Sequence, residues 1–150
     1  MKFQIVILTL LIGAFTFLSS CKKDEENPES TRTELLTSHS WKISQVLANG
    51  TPVTDDAIQL ILGSGSSLAQ LTRSSILFKT DSTYTATDQQ TDSTFTDTWY
   101  FTDNETKIRL EAASDTFDFT IDLLSKEKLN LSTRYTVSGL TPTIVLQLVP

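Results

Sequence analysis

The stretch Thr94-Phe95-Thr96-Asp97-Thr98-Trp99-Tyr100-Phe101 decides the fold expected for this chain. Phe95, Trp99 and Phe101 alternate with hydroxyl-bearing side chains, which is the period of a strand that has one apolar and one polar face. Similar short runs contain Ile76 and Phe78, Tyr84 and Ala86, Ile108 and Leu110, Phe117 to Leu123, Leu129 and Leu131, and Ile144 to Leu148. Turn-forming residues such as Asp103-Asn104 and Gly139 separate these runs, so the pattern predicts strand after strand.

A further strand begins at Trp41 and ends at the turn signal Asn49-Gly50, and its inner face is predicted to hold Trp41, Ile43 and Leu47. The total is then about eight strands. Short strands without intervening helices are antiparallel neighbours, and closing them into a ring removes both sheet edges. We therefore expect an all-β fold, an up-and-down barrel of about eight strands. A two-sheet β-sandwich is the alternative, because periodicity does not separate the two.

Two segments carry a helical pattern instead. Ser30 or Thr31, followed by Glu34 about one turn later, predicts the capped start of a short helix before the first strand. Between Thr54 and Thr72, apolar residues on both sides of a glycine- and serine-rich break predict two short helices joined by a hinge. The expected barrel thus has an N-terminal helix and a two-helix insertion after its first strand.

The N-terminus has the pattern of a secretory signal: Lys2, an apolar run from Phe3 to Leu18, and then small residues. Leu18-Ser19-Ser20-Cys21 resembles the lipobox of bacterial lipoproteins, which implies a lipid on Cys21 and cleavage before it. An uncleaved N-terminal anchor is the alternative. We expect a signal peptide over residues 1–20, an acylated flexible tether over 21–33, and a barrel domain over 34–150.

The predicted tether has no apolar residue from Lys22 to Ser30, so it has nothing to bury. Within it, Lys23-Asp24-Glu25 resembles the surface-export signal of Bacteroidetes lipoproteins. That resemblance implies an outer-membrane lipoprotein exposed at the cell surface. A charged spacer without a signal is the alternative.

Longer motifs resemble the lipocalin-like lipoproteins of Bacteroidetes. The matching stretches are Leu35–Ile43 with its "W-K" strand start, Leu77–Tyr84, Thr98–Phe101 with its "W-x-F" pattern, and Ile121–Leu131. The resemblance covers nearly all of the chain after Cys21, although each motif is short. It implies a barrel in the cell envelope and no particular activity. The apolar insertion from Thr54 to Thr72 departs from the family pattern.

Charge and chemistry narrow the function further. A net charge of −6 at pH 7 with scattered cations argues against a nucleic-acid partner. His39 is the sole histidine, and no nucleophile motif surrounds it. Asp55-Asp56 fits the first turn of a helix, and the oxygen-rich turns lack the spacing of a calcium loop. We predict no catalytic site, no metal and no cofactor.

The inward aromatic residues have two interpretations. They fill a solid core, or they line a cavity, because an eight-stranded barrel has room for side chains or for one small ligand. The candidate cavity-lining residues are Trp41, Phe78, Tyr84, Trp99, Phe117 and Phe119. The first hypothesis is therefore a lipoprotein that binds a small apolar or amphipathic ligand. The second is a solid barrel that engages another envelope protein, as an accessory subunit or an inhibitor.

Two turns carry a possible modification. Asp81-Ser82-Thr83 and Asp92-Ser93-Thr94 resemble the O-glycosylation motif of Bacteroidetes, an Asp followed by Ser or Thr and a small residue. Both are predicted to lie at turns, where a glycosyltransferase can reach them. Ser82 and Ser93 are therefore candidate glycosylation sites, although such tripeptides are frequent in a threonine-rich chain.

Overall fold

The computed structural model describes residues 30–62, 66–112, 115–137 and 139–150. The helices are α1 (Arg32–Thr37), α2 (Asp55–Leu62) and α3 (Leu68–Arg73). The strands are β1 (Trp41–Ala48), β2 (Thr51–Pro52), β3 (Ser74–Phe78), β4 (Thr83–Asp88), β5 (Ser93–Thr102), β6 (Lys107–Ala112), β7 (Asp115–Leu124), β8 (Leu129–Arg134) and β9 (Thr143–Val149). The described helices include the predicted N-terminal helix and both helices of the insertion after β1.

Strand pairing closes the sheet into a barrel. From β3 to β9 each strand pairs with the next in antiparallel fashion, and β1 pairs with both β3 and β9. Eight strands, β1 and β3–β9, thus form a ring, and the predicted up-and-down barrel is confirmed over the sandwich. The ninth strand, β2, folds back on the end of β1 through Asn49 and Gly50, whose φ angles of 49° and 81° are those of a tight hairpin turn.

The first strand contains a β-bulge that alternation alone did not predict. The pairing of β1 with β9 shifts register between Ile43 and Gln45, so Ser44 is an extra residue. Val46 consequently takes the buried position, with 3% of its surface exposed, and Leu47 is only half-buried. The predicted inward position of Leu47 is therefore wrong, because one inserted residue swaps every later side chain to the other face.

The two ends of the barrel are built differently. One end, which we call the α1 end, carries α1 and the turns 79–82, 103–106 and 125–128. Leu36 of α1 is fully buried there, and α1 contacts β3 and β7. The opposite end, the α2–α3 end, carries the connections that follow β1, β4, β6 and β8. At that end α3 packs against β1 and β3.

The N-terminal helix has a complete capping box, which explains why it begins where it does. The main-chain N–H of Glu34 donates to Thr31 Oγ1 (3.1 Å), and the N–H of Thr31 donates to Glu34 Oε2 (2.8 Å). Thr31 rather than Ser30 is therefore the cap, and α1 begins inside the segment assigned to the tether. All of the barrel strands and α1 lie within residues 30–150, so this part holds a closed sheet with its own hydrophobic core, as an independently folding domain requires.

Candidate functional site

An apolar cavity of about 280 Å³ lies inside the barrel and reaches the α2–α3 end. Its walls are formed by Ile43, Val46, Ile58, Leu71, Leu110, Phe117, Phe119, Thr133, Tyr135, Ile144 and Leu146. The wall that these residues form presents only apolar atoms. A cavity of ~150 Å³ accommodates benzene, so by proportion this one holds about eleven non-hydrogen atoms. It is slightly smaller than the ~300 Å³ at the low end of ordinary ligand pockets.

Strands supply most of the wall, and the two-helix insertion supplies its cover. Ile58 of α2 is 2% exposed and Leu71 of α3 is half-buried, and both line the cavity. The helices are joined at their N-termini, because the main-chain N–H of Leu68 donates to Asp55 Oδ1 at 2.7 Å. The acidic first turn of α2 thus both suits the helix dipole and positions α3.

The end of α3 is fixed to the barrel by an ion pair. Arg73 Nε lies 3.2 Å from Asp88 Oδ1, at the last residue of β4. The pKa of Asp88 is lowered, first by the hydrogen bond from the main-chain N–H of Gln90 and then by Arg73. Both helices of the insertion are therefore held by carboxylates, one between the helices and one between α3 and the sheet.

The rim of the cavity is accessible. Phe117 and Tyr135 line the cavity, yet 44% and 39% of their surfaces are exposed. Phe117 is near the start of β7 and Tyr135 follows the end of β8, so both are at the α2–α3 end. The cavity is therefore open to solvent at this end.

The six aromatic residues predicted to line a cavity divide into two groups. Phe117 and Phe119 are among the lining residues, whereas Trp41, Phe78, Tyr84 and Trp99 are not. The latter four are buried elsewhere in the core, where the Phe78 ring is 5.6 Å from Trp99 and 6.2 Å from Tyr84. Trp99 Nε1 donates to the main-chain oxygen of Lys79 (3.1 Å), which belongs to a turn at the α1 end.

Tyr84 joins two barrel strands that are not direct neighbours, β4 and β6. Its hydroxyl donates to the main-chain oxygen of Glu111 at 3.0 Å. Burial raises the pKa of Tyr84, and the charge of Asp97, directly opposite on β5, raises it further. Tyr84 therefore links β4 to β6 and stays neutral at physiological pH.

Most of the residues that form the cavity wall were not predicted from the sequence. The aliphatic residues Ile43, Val46, Leu110, Ile144 and Leu146, and the helix residues Ile58 and Leu71, form it together with the aromatic pair. Strand alternation marks the aliphatic positions as inward. It does not show at which end of the barrel the interior stays unfilled, because that depends on the register between strands far apart in sequence.

The polar candidates have structural explanations. His39 Nδ1 lies 2.7 Å from Ser38 Oγ. The centroid of the His39 ring is 4.2 Å from that of Trp41, with the two rings tilted by 56°, at the junction of α1 and β1. Within the described parts of the chain, no group of three or more His, Cys, Asp or Glu is placed to hold a metal ion. Over the same residues, no helix is long and apolar enough to cross a bilayer.

The candidate modification sites are both exposed. Ser82 lies in the turn between β3 and β4 with a φ of 66°, and Ser93 begins β5. The two serines are thus at opposite ends of the barrel. The predicted lipid attachment at Cys21 and the predicted export signal Lys23-Asp24-Glu25 lie outside the described residues.

Comparison with known proteins gives a likeness of structure only. No family model matches the chain, and no curated protein matches it. A similar solved structure is that of a DUF4847 family protein from Bacteroides vulgatus, which is 16% identical, with a TM-score of 0.49. The match covers 79% of this chain and 96% of that one. The architecture described above rests on the strand pairing of this chain itself.

Proposed function

We propose that this protein is a surface-exposed outer-membrane lipoprotein whose barrel binds a small apolar molecule. The observation that carries the binding function is the cavity of about 280 Å³ with a wholly apolar wall. An apolar guest in such a pocket would bury its own apolar surface and that of the wall, which is favourable. Ile58 and Leu71 cover the cavity with side chains from the insertion, which gives that segment a role in holding the ligand.

Packing energetics support a ligand rather than an empty cavity. Without a guest the apolar wall faces water or empty space, and a bound apolar molecule would remove that surface from water. Larger side chains at positions such as Val46, Ile144 or Leu146 would fill the space. Their modest size is explained if a ligand occupies the cavity and contributes the missing contacts.

The place of the tether supports the anchored orientation. The tether would lead directly into α1, and α1 lies at the end of the barrel opposite the cavity rim. A barrel held by a lipid on Cys21 would therefore present the α2–α3 end, with its rim, away from the anchored side. That arrangement suits exchange of the ligand with the surroundings.

A protein-interaction module is the second candidate. Leu60 of α2 and Leu140 of the connection after β8 are 60% and 71% exposed, and both belong to the α2–α3 end. Exposed apolar surface at one end of a protein is typical of contact sites where it is contiguous. An envelope protein that docks there as a partner would cover the same rim that a ligand uses.

The binding function is tested on residues 30–150 with a panel of small apolar molecules. Native mass spectrometry and titration calorimetry are expected to show one bound molecule per barrel. Leu146→Trp fills the cavity and should abolish binding, whereas Leu77→Trp, on the outer face of β3, should bind like the unmodified barrel. Circular dichroism checks that both variants fold. Failure of the whole panel to bind would leave the interaction module as the function.

A further inference from the structure

We infer that the cavity selects uncharged apolar molecules and rejects carboxylates, so that free fatty acids are not its ligands. This inference rests on the proposed binding function and names the class of ligand. It follows from the lack of cationic side chains among the described lining residues and from the carboxylates near the rim.

The wall has no group that could neutralise a carboxylate. No lysine, arginine or histidine is among the described residues that line the cavity. Asp97, on the inner face of β5, lies directly opposite the buried Tyr84. A carboxylate that enters the cavity would lose its hydration without gaining a cationic partner from the described lining residues, which disfavours its binding.

The rim is acidic on its inner side. Asp115 begins β7 and shares a face with Phe117 and Phe119, because side chains alternate along a strand. Asp55 and Asp56 begin α2, one turn before Ile58. A negatively charged head group that stayed at the rim, with its chain in the cavity, would therefore face Asp115 on the inner side of β7 and the acidic first turn of α2 at the same end of the barrel.

The cations near this end do not offset these charges. Arg73 is paired with Asp88 at 3.2 Å. Arg134 lies between two lining residues, Thr133 and Tyr135, so alternation places it on the outer face of the barrel. Neither guanidinium is positioned to receive a carboxylate that enters the cavity.

The pKa of Tyr84 shows the effect of burial on an acidic group in another part of the barrel core. Burial and the charge of Asp97 both raise its pKa, which means that the interior disfavours a negative charge.

The test compares two ligands that differ in charge and have similar chains, 1-octanol and octanoate, on residues 30–150 at pH 7.5. We expect 1-octanol to bind at least tenfold more tightly by titration calorimetry. Octanoate binding as tightly as 1-octanol would overturn the inference and leave the proposed function standing. If both ligands fail together with the wider apolar panel, the proposed function fails and the inference with it.

A charge reversal at the rim tests the origin of the selectivity. Asp115→Lys is expected to raise the affinity for octanoate at least threefold and to leave that for 1-octanol unchanged. Glu127→Lys, the same charge change at a turn of the α1 end, should alter neither affinity. An Asp115→Lys barrel that folds and binds both ligands as before would overturn the role of the rim. Thermal unfolding of each variant checks the fold.

Discussion

The indole Nε1 of Trp41 donates a hydrogen bond of 2.8 Å to the main-chain oxygen of Leu36, and both side chains are fully buried. Leu36 lies in the last turn of α1, where carbonyl groups have no partner within the helix. The indole of β1 therefore satisfies a buried carbonyl of α1. This contact joins the helix to the barrel and closes the α1 end.

The first prediction removes that donor. Trp41→Phe keeps an aromatic ring but leaves the carbonyl of Leu36 buried and unpaired, which should lower the free energy of unfolding by about 1–3 kcal/mol. Urea denaturation followed by circular dichroism measures the loss. Tyr100→Phe is the matched control, because its exposed hydroxyl donates to Glu111 Oε1 and should matter by less than about 0.5 kcal/mol. Equal losses in both variants would contradict the role of the indole.

The second prediction concerns the other tryptophan. Trp99 is 4% exposed and contacts the rings of Phe78 and Phe101, so Trp99→Ala should cost about 3–5 kcal/mol. The unmodified barrel should show blue-shifted tryptophan emission that moves to longer wavelength on unfolding. A cost below about 1 kcal/mol would place the indole outside the barrel.

The sequence predicted the barrel because most of its strands alternate apolar with polar residues and because threonine marks their outer faces. The paired outer residues Thr85 and Thr96, whose hydroxyls lie 3.2 Å apart, show that pattern in the folded chain. The bulge at Ser44 was not predictable from the same pattern, since an inserted residue reverses the alternation without changing composition.

The site was less predictable than the fold. The alternating pattern predicts that Phe117 and Trp99 both face inward. Phe117 lines the cavity, whereas Trp99 fills the core. The difference arises from which end of the barrel each residue reaches, and from Ile58 and Leu71, which belong to the helical insertion. These are long-range relationships, and a local pattern does not contain them.

The third prediction is a pH dependence. Arg109 donates to Asp118 through Nε at 2.6 Å and Nη2 at 2.7 Å, and these hydrogen bonds hold the pKa of Asp118 below its ordinary value of 3.8. A carboxylate with a lowered folded-state pKa stabilises the fold above its unfolded value, and this contribution is lost as the pH falls through the folded value. Asp118→Asn should therefore be less stable than the unmodified barrel near pH 7, with a difference that shrinks below about pH 4.

The size of this effect is limited because 36% of the Arg109 side chain and 49% of the Asp118 side chain are exposed, so that solvent screens the pair. A double-mutant cycle with Arg109→Gln isolates the pair. In the Arg109→Gln background, Asp118→Asn should have little further effect on unfolding at pH 7. An undiminished effect there would assign the stabilisation to other contacts of Asp118.

The fourth prediction addresses the proposed lipid anchor. Cys21→Ala should leave the precursor uncleaved and without lipid, because acylation of the cysteine sulfur precedes cleavage at this kind of signal. Expression with radiolabelled fatty acid, followed by gel electrophoresis, reads both events in one experiment. Label on the Cys21→Ala protein would contradict the assignment of Cys21 as the attachment site.

The fifth prediction separates an export signal from a charged spacer. Replacing Lys23, Asp24 and Glu25 by Ala should preserve acylation but protect the protein from protease added to whole cells, because the protein would then stay on the inner side of the outer membrane. The control removes the same charges elsewhere in the tether, by alanine at Lys22, Glu26 and Glu29. That variant should remain as accessible to protease as the unmodified protein. Equal accessibility of both variants would mean that the tripeptide acts only as part of a solvated tether, and equal protection would assign export to the charge of the tether as a whole.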